Sequence, residues 1–258
     1  MFTLSDTKAL ARLAQETGAL ILRIRAEHLS QQHDWHHAAK PDGSPVTRAD
    51  QEAEAHILAG IAKLGMNAPV VAEESAAGAD ISGAEGFYLI DPLDGTKAFM
   101  GGGDDFCVNI GFAEKGRAVF GVIYVPVNGE TYTTAEGAAW FQPAGGNAEK
   151  ISARLPPETG LEVIVNRTED WSGRLRRYLE TLKVCGVERQ SSARKLGLMA
   201  RGMYDLYPRF GKSYEWDTAA GDALLRAAGG AVHTMDGADL IYGKPGFLNP
   251  PFIAKGRG

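Results

Sequence analysis

Two carboxylates, a glycine and a hydroxyl follow directly on a short apolar run. Tyr88-Leu89-Ile90 leads into Asp91-Pro92-Leu93-Asp94-Gly95-Thr96-Lys97. The apolar residues suit a buried strand, and carboxylates at its buried end are costly unless a cation neutralises them. Carboxylate oxygens suit Mg²⁺ or Mn²⁺, and a Gly-Thr turn offers backbone N–H groups that can hold an anion beside the metal. We interpret residues 91–97 as a metal site for a phosphate ester.

Two other interpretations of this segment stay open. Asp, Pro and Gly are common turn residues, so the motif can be a turn without chemistry. The motif is also similar to the D-x-D-G-T sequence of haloacid-dehalogenase-type phosphatases, in which Asp91 would be a nucleophile. Here one more residue separates the carboxylates, and the segment lies near position 90 rather than after the first strand of a domain. Both features disfavour a covalent phosphoaspartate.

A second strand candidate also ends in acid. Pro69-Val70-Val71-Ala72 runs into Glu73-Glu74. In open α/β sheets, ligands bind beyond the carboxyl ends of strands, so Glu73 and Asp91 can converge despite their separation in sequence. The alternative is a solvated surface pair of glutamates.

Two aspartates stand near predicted helix starts. Asp50 follows Thr47, the predicted N-cap of an amphipathic helix, and Asp217 follows Trp216 at the start of a helix that stops at Gly229-Gly230. Each has a structural interpretation, Asp50 in a capping box and Asp217 as an acid favoured by the helix dipole.

The remaining pattern predicts a long first helix over residues 5–24 and then two different halves. In the first half, strand candidates at 88–90, 106–112, 119–125, 131–134 and 138–141 predict an antiparallel or mixed sheet. In the second, strands at 161–165, 184–189 and 203–207 alternate with helices at 171–182 and 193–201, as in βαβ units.

The chain is therefore predicted to be a single phosphatase unit over residues 1–258. The polar stretch 149–159 separates an N-terminal half, 1–148, with the metal site, from a C-terminal half, 160–258, with specificity elements.

Composition and charge exclude several classes of protein. The chain has 258 residues, of which 44% are hydrophobic and 23% charged, as in folded globular proteins. The net charge of −5 without a long Lys or Arg run argues against polymeric nucleic acid as a partner. Two cysteines without zinc spacing, and the clustered His33, His36 and His37 without suitable partners, indicate neither a disulfide framework nor a zinc site. No apolar run reaches membrane-spanning length, so we expect a cytoplasmic protein, with peripheral attachment at the inner membrane left open.

Three separated motifs together resemble the signatures of the inositol monophosphatase superfamily, whose members are metal-dependent, lithium-sensitive phosphatases. They are Glu73-Glu74, Asp91-Pro92-Leu93-Asp94-Gly95-Thr96 and Trp216-Asp217-Thr218-Ala219-Ala220-Gly221. The resemblance implies an α/β fold of mixed α+β type, a layered αβαβα sandwich with a mixed or antiparallel N-terminal sheet and an α/β C-terminal half.

By the same resemblance, the cofactor is two or three Mg²⁺ ions, with Mn²⁺ as a substitute. The implied metal ligands are Glu73, Asp91, the backbone carbonyl of Leu93, Asp94 and Asp217. The implied catalytic residues, which orient and activate the attacking water, are Asp50, Thr96 and Glu73. Lys40 corresponds to a lysine near the metals.

Further motifs favour one branch, the bacterial 3′(2′),5′-bisphosphate nucleotidases of sulfur assimilation. They are Ser44-Pro45-Val46-Thr47, Lys97, Tyr207-Pro208-Arg209-Phe210-Gly211 and Phe247-Leu248-Asn249-Pro250. This resemblance implies hydrolysis of the 3′-phosphate of adenosine 3′,5′-bisphosphate to AMP. The alternatives are an inositol or sugar monophosphatase of the same superfamily and a non-catalytic nucleotide-binding protein on this scaffold. A homodimer is left open.

Substrate contacts are expected from both halves. Phosphate would be held by Asp94, Gly95, Thr96, Lys97 and Asp217, and the nucleotide by Ser191, Ser192, Lys195 and Arg209, the last as a bidentate clamp. Each nucleotide contact also has an interpretation as a surface or helix-capping residue. The run Gly101-Gly102-Gly103-Asp104-Asp105 is more acidic than the segment expected in that branch, and added acid beside the pocket would disfavour a doubly phosphorylated ligand.

Overall fold

The computed structural model describes residues 2–31, 38–39, 45–171 and 173–258. The helices are α1 (Leu4–Gln31), α2 (Arg48–Lys63), α3 (Thr96–Met100), α4 (Arg174–Leu179), α5 (Arg194–Ala200) and α6 (Ala219–Ala227). Strands β1 (Ala38–Ala39) and β2 (Pro45–Val46) form a short antiparallel pair. The first large sheet contains β3 (Val70–Ala72), β4 (Gly86–Asp94), β5 (Cys107–Glu114), β6 (Arg117–Val125), β7 (Glu130–Ala135), β8 (Ala138–Gln142) and β9 (Glu149–Ile151). The second contains β10 (Leu161–Asn166), β11 (Val184–Gln190), β12 (Leu206–Arg209), β13 (Ala231–Thr234) and β14 (Phe252–Lys255).

The first sheet is mixed, as predicted. Its strands follow chain order from β3 to β9, with β3 parallel to β4 and every later neighbour antiparallel. The β5–β6 hairpin turns at Lys115 and Gly116, whose φ values of 50° and 77° suit the left-handed positions of a tight turn. Strand β9 extends this sheet three residues into the polar stretch predicted as a boundary.

The two faces of the first sheet are covered by different helices. On β4, Tyr88 and Ile90 pack against α1 and α2, whereas Leu89 between them joins the core on the side of α5 and α6. This alternation follows the two-residue period of a strand. Helix α6 lies so close to the sheet that a Cβ at Gly121 would stand 2.1 Å from the Ala220 carbonyl oxygen.

The second sheet is also mixed, with the strand order β11-β10-β12-β14-β13. Strand β10 is parallel to β11 and β12, as expected for βαβ units, while β14 is antiparallel to β12 and β13. Helix α4 packs on the outer face of this sheet through Leu175 and Leu179. The layers α1/α2, first sheet, α5/α6, second sheet and α4 give the predicted αβαβα sandwich.

Several predicted boundaries in the second half are wrong by a few residues. Helix α4 begins at Arg174 rather than Trp171, and β12 at Leu206 rather than Met203 because the chain is still turning out of α5, with the Met203 N–H donating to the Leu198 carbonyl. Helix α6 begins at Ala219, because the preceding 3₁₀ turn (Glu215–Asp217) is closed by the Asp217 carboxylate.

Among the described residues, none of the helices combines the length and hydropathy needed to cross a membrane. Lys40, Ser44 and the histidines His33, His36 and His37 lie outside the described residues.

Candidate active site

The parallel pairing of β3 and β4 brings Glu73 and Asp91 to the same edge of the first sheet. Ala72 stands opposite Ile90, and the Glu73 N–H donates to the Ile90 carbonyl at 3.0 Å. The side chain of Asp91 is buried. Burial raises the pKa of Asp91 well above its ordinary value, and the charges of Glu73, Asp94 and Asp217 raise it further. The convergence expected from the two strand ends is therefore present.

Residues 91–96 leave the sheet in a bend fixed by local contacts. The Asp91 Oδ1 accepts a hydrogen bond from the Leu93 N–H at 3.1 Å, and the pairing with β5 shifts register between Asp91 and Asp94. Gly95 has φ of +101°, and a Cβ there would stand 2.6 Å from the Asp105 carbonyl oxygen. Only glycine fits this position without strain. The next residue, Thr96, begins α3.

Asp50 forms the capping box that its sequence position predicts and also contacts Thr96. Its Oδ2 accepts hydrogen bonds from the Thr47 N–H and Oγ1, each at 2.6 Å, which completes the capping box of α2. Its Oδ1 faces Thr96, whose Oγ1 lies 2.9 Å away and 3.1 Å from the Leu93 carbonyl oxygen. Burial raises the pKa of the Asp50 carboxyl, and its hydrogen bonds oppose this rise. The cap holds Asp50 in place beside Thr96.

Asp94 lies where the two halves of the chain meet. Its Oδ2 accepts hydrogen bonds from the Asn109 side chain at 3.4 Å and from the backbone N–H of Ala193, at the start of α5. Burial raises the pKa of Asp94 to about 6, although the nearby Lys195 ammonium and the Ala193 N–H favour the charged form.

Asp217 faces Asp94 from the other half. The Tyr214 N–H donates to its Oδ2 at 2.8 Å and the Ser213 hydroxyl at 3.1 Å. Burial, followed by the charges of Asp94 and Glu73, raises the pKa of Asp217 to about 7. Asp91, Asp94 and Asp217 therefore lie close together and close to the charge of Glu73. Within the described ranges, however, no group of three or more His, Cys, Asp or Glu side chains has the arrangement of a metal site.

The predicted nucleotide contacts of the second half lie beside these acids. Ser192 and Lys195 are buried, and the Lys195 Nζ donates to the carbonyl oxygens of Ser192 at 2.6 Å and Gln190 at 3.3 Å. Burial lowers the pKa of Lys195 to about 8, which the Asp94 and Asp105 charges oppose. Lys195 thus places a positive charge next to Asp94.

Arg209 is placed at the site, but its guanidinium is already engaged. Its Nη1 pairs with Glu169 at 3.0 Å and its Nη2 donates to the Lys212 carbonyl at 2.5 Å. In this arrangement it does not present the free bidentate face expected from the sequence. It lines two neighbouring cavities, a small one of about 120 Å³ with Asp94, Lys195 and Asp217, and an outer one of about 410 Å³.

Lys97, which is predicted to contact the phosphate, is not among the described residues that line the small cavity. Its side chain is exposed on α3.

Three supporting residues escape prediction from the sequence. Glu54 accepts a hydrogen bond from the Glu74 N–H at 2.8 Å and so fixes the end of β3. Asn109 contacts Asp94, and Asn249 donates to the Tyr214 carbonyl at 2.7 Å and to Thr218 Oγ1 at 3.0 Å, which holds the turn that carries Asp217. Glu54 leaves a sequence signal as a carboxylate on the apolar face of α2, and Asn249 belongs to the 247–250 motif, which by itself gives it no role.

Comparison with known proteins finds relatives along most of the chain. The sequence model described as "Inositol monophosphatase family" matches residues 5–256. The chain is 33% identical over 249 residues to the 3′(2′),5′-bisphosphate nucleotidase CysQ of Buchnera aphidicola subsp. Acyrthosiphon pisum, covering 95% of this chain and 91% of the relative. It is 38% identical over 217 residues to CysQ of Escherichia coli (strain K12), covering 83% and 86%.

A solved structure is similar over the whole chain. The crystal structure of CysQ from Bacteroides thetaiotaomicron, described as a bacterial member of the inositol monophosphatase family, superimposes with a TM-score of 0.81 at 30% sequence identity. The match covers 98% of both chains, so the two sheets and all layers of the sandwich have counterparts in that structure.

Proposed function

The chain belongs to the inositol monophosphatase family, and we propose that it is a Mg²⁺-dependent phosphomonoesterase that hydrolyses the 3′-phosphate of adenosine 3′,5′-bisphosphate to AMP and phosphate. One observation carries the proposal: Asp91, Asp94 and Asp217 are buried close enough together, and to the charge of Glu73, for each pKa to be raised, beside the hydrogen-bonded pair Asp50–Thr96. The names of the CysQ relatives support the choice of substrate.

The donor set fits a hard divalent cation in its chemistry. Carboxylate and carbonyl oxygens are the ligands of Mg²⁺ and Mn²⁺, and burial together with mutual repulsion makes Asp91, Asp94 and Asp217 costly to ionise without a cation. We assign the metal ligands to these three carboxylates, Glu73 and the Leu93 carbonyl. When bound, two or three such ions would lower the pKa of water and offset the charge of the phosphoryl and leaving oxygens.

Asp50 and Thr96 are suited to orienting the attacking water and taking its proton. When the Thr96 hydroxyl donates to Asp50 Oδ1 at 2.9 Å, its oxygen is left to accept a hydrogen bond from water. Burial raises the pKa of Asp50, which favours proton acceptance. Glu73, whose charge acts on both Asp50 and Asp91, adds a second acceptor.

The substrate is then held from both halves. The backbone amides of Gly95 and Thr96 bind the transferred phosphate, with Asp94 and Asp217 beside it. Lys195 faces the ribose or the second phosphate across the small cavity, and Arg209, which lines both cavities, joins it. Ser192 is buried behind Lys195, with its hydroxyl donating to Asp105. For Arg209 to bind phosphate, its contact with Glu169 has to be exchanged.

A substrate panel tests this function. Purified protein is assayed for phosphate release from adenosine 3′,5′-bisphosphate, inositol 1-phosphate, fructose 1,6-bisphosphate and histidinol phosphate, with Mg²⁺ and with chelator. We expect the highest kcat/KM on the adenosine compound and loss of turnover in chelator. A preference for inositol 1-phosphate overturns the substrate, and nucleotide binding without phosphate release by metal-replete protein overturns catalysis.

The choice of mechanism has its own test. Rapid quenching during turnover should trap no phosphorylated Asp91, because the proposal uses water as the nucleophile. Recovery of a stoichiometric phosphoaspartate would favour the haloacid-dehalogenase-type mechanism instead.

A further inference from the structure

Asp105 joins the two halves of the chain beside the candidate active site. It follows the glycine-rich run and precedes β5. Its Oδ1 accepts hydrogen bonds from the Ser192 N–H at 3.3 Å and the Ser192 hydroxyl at 2.9 Å, and its Oδ2 accepts one from the Ser191 N–H. The Arg167 guanidinium lies 4.0 Å away. One carboxylate therefore binds three donors of a segment that is distant in sequence.

Asp105 is itself fixed against the 91–97 segment. Its backbone passes so close to Gly95 that its carbonyl oxygen occupies the space a Cβ would need. The side chain of Asp105 is 19% exposed. Its neighbour Asp104 differs: it is 68% exposed and contacts Arg25 at 3.3 Å on the protein surface. The two adjacent acids thus have separate surroundings.

Asp94 and Asp105 together bind three consecutive backbone N–H groups. Asp105 receives those of Ser191 and Ser192, and Asp94 receives that of Ala193. The same segment supplies the Ser192 carbonyl that binds Lys195 Nζ at 2.6 Å. The negative charge of Asp105 is therefore directed to backbone donors, so it repels a bound phosphate less than the sequence suggested.

We propose that Asp105 is a positioning residue, which holds Ser192, and with it the Lys195 ammonium bound to the Ser192 carbonyl, against the 91–97 segment so that Lys195 can bind the second phosphate of the substrate. This inference rests on the proposed function. A charged acceptor is required, because an asparagine amide at this position would turn a donor toward one of the backbone N–H groups.

The test compares Asp105→Asn with Asp104→Asn, a matched control that removes the same charge one residue away. Both variants are assayed at saturating Mg²⁺ with adenosine 3′,5′-bisphosphate and with adenosine 3′-monophosphate, which lacks the second phosphate. For Asp105→Asn we expect KM for the bisphosphate to rise about tenfold, while kcat and the KM for the monophosphate change less than about threefold. Asp104→Asn should match the wild type, and Asp105→Glu should recover part of the bisphosphate KM.

Each other outcome has a defined meaning. Equal rises in KM for both substrates, with a lowered melting temperature, would show that Asp105 is merely structural and would overturn the inference. Identical behaviour of the Asp105 and Asp104 variants would also overturn it. If the wild type releases no phosphate, the proposed function fails, and calorimetric binding of adenosine 3′,5′-bisphosphate then tests Asp105: a Kd unchanged by Asp105→Asn overturns the inference, and one raised about tenfold supports it.

Discussion

Asp217→Asn is expected to stabilise the metal-free protein while it removes the activity. In the folded chain the pKa of Asp217 is raised from 3.8 to about 7, by burial and then by the charges of Asp94 and Glu73. At pH 8, holding this carboxylate ionised in the folded state costs on the order of 4 kcal/mol, at about 1.4 kcal/mol per pKa unit. Partial exposure and loss of one hydrogen bond, from Tyr214 or Ser213, reduce the expected gain to roughly 2 kcal/mol.

The direction of the Asp217 pKa shift determines how the stability gained by Asp217→Asn depends on pH. Because the pKa is higher in the folded than in the unfolded chain, the carboxyl favours folding while it is protonated, and this stability is lost as the pH rises from about 4 to 7. Urea unfolding in chelator should therefore show an advantage of Asp217→Asn that grows between pH 5 and pH 8. Saturating Mg²⁺ should stabilise the wild type and have a smaller effect on the variant. Turnover should fall by orders of magnitude.

Asp80→Asn serves as the control, since Asp80 is exposed and its hydrogen bonds come from the nearby Ser82, whose N–H donates at 2.8 Å. It should show no pH-dependent gain. A lower stability of Asp217→Asn at pH 8 in chelator, or an advantage that is the same at pH 5 and pH 8, would refute the reasoning from repulsion among the acids.

Two further substitutions probe the catalytic pair and the packing of α6. Thr96→Val removes the hydroxyl beside Asp50, so kcat should fall about 100-fold or more in steady-state assays while Thr96→Ser retains most of it; equal losses in both would contradict the role of the hydroxyl. Gly121→Ala would place a Cβ 2.1 Å from the Ala220 carbonyl oxygen, so urea unfolding should show a loss of about 3 kcal/mol. Gly78→Ala, where a Cβ meets nothing within 4 Å, should be nearly neutral, and similar stabilities for the two alanine variants would show that α6 does not constrain Gly121.

The parts of the site that depend on local structure could be predicted from the sequence. Thr47 and Asp50 are three residues apart at a helix start, and the structure shows the capping box that this spacing predicts. Glu73 and Asp91 follow apolar strands, and their convergence needs only that the two strands pair in parallel. In both cases the determining contacts lie within one element or between two neighbouring strands.

The position of Asp217 beside Asp94 cannot be predicted from local structure. Its approach to Asp94 depends on how α6 packs across β5 and β6, where Gly111 and Gly121 allow the helix to come close. Hydrophobic periodicity in the sequence does not predict how closely α6 approaches the sheet. Asp217 is linked to the other acids only by the resemblance of the three motifs, in their order, to those of a known family.

Contacts between side chains and distant backbone could not be predicted at all. Asp105 and Asn249 act on N–H and carbonyl groups of other segments, and backbone groups leave no mark in a sequence. The sequence predicts an unpaired Arg209 guanidinium that can bind phosphate, because nothing in the sequence connects Arg209 with Glu169, forty residues away. The acids and bases of the site were therefore identified more readily than their partners.

The location of bound metal shows whether Glu73, Asp91, Asp94 and Asp217 are metal ligands. Crystals of the protein soaked in Mn²⁺ would give an anomalous difference map in which each bound ion is visible. We expect a peak in coordination contact with both Asp91 and Asp94, and further density shared with Glu73 or Asp217. Mn²⁺ bound only elsewhere, or no peak at these four carboxylates at saturating Mn²⁺, would contradict it.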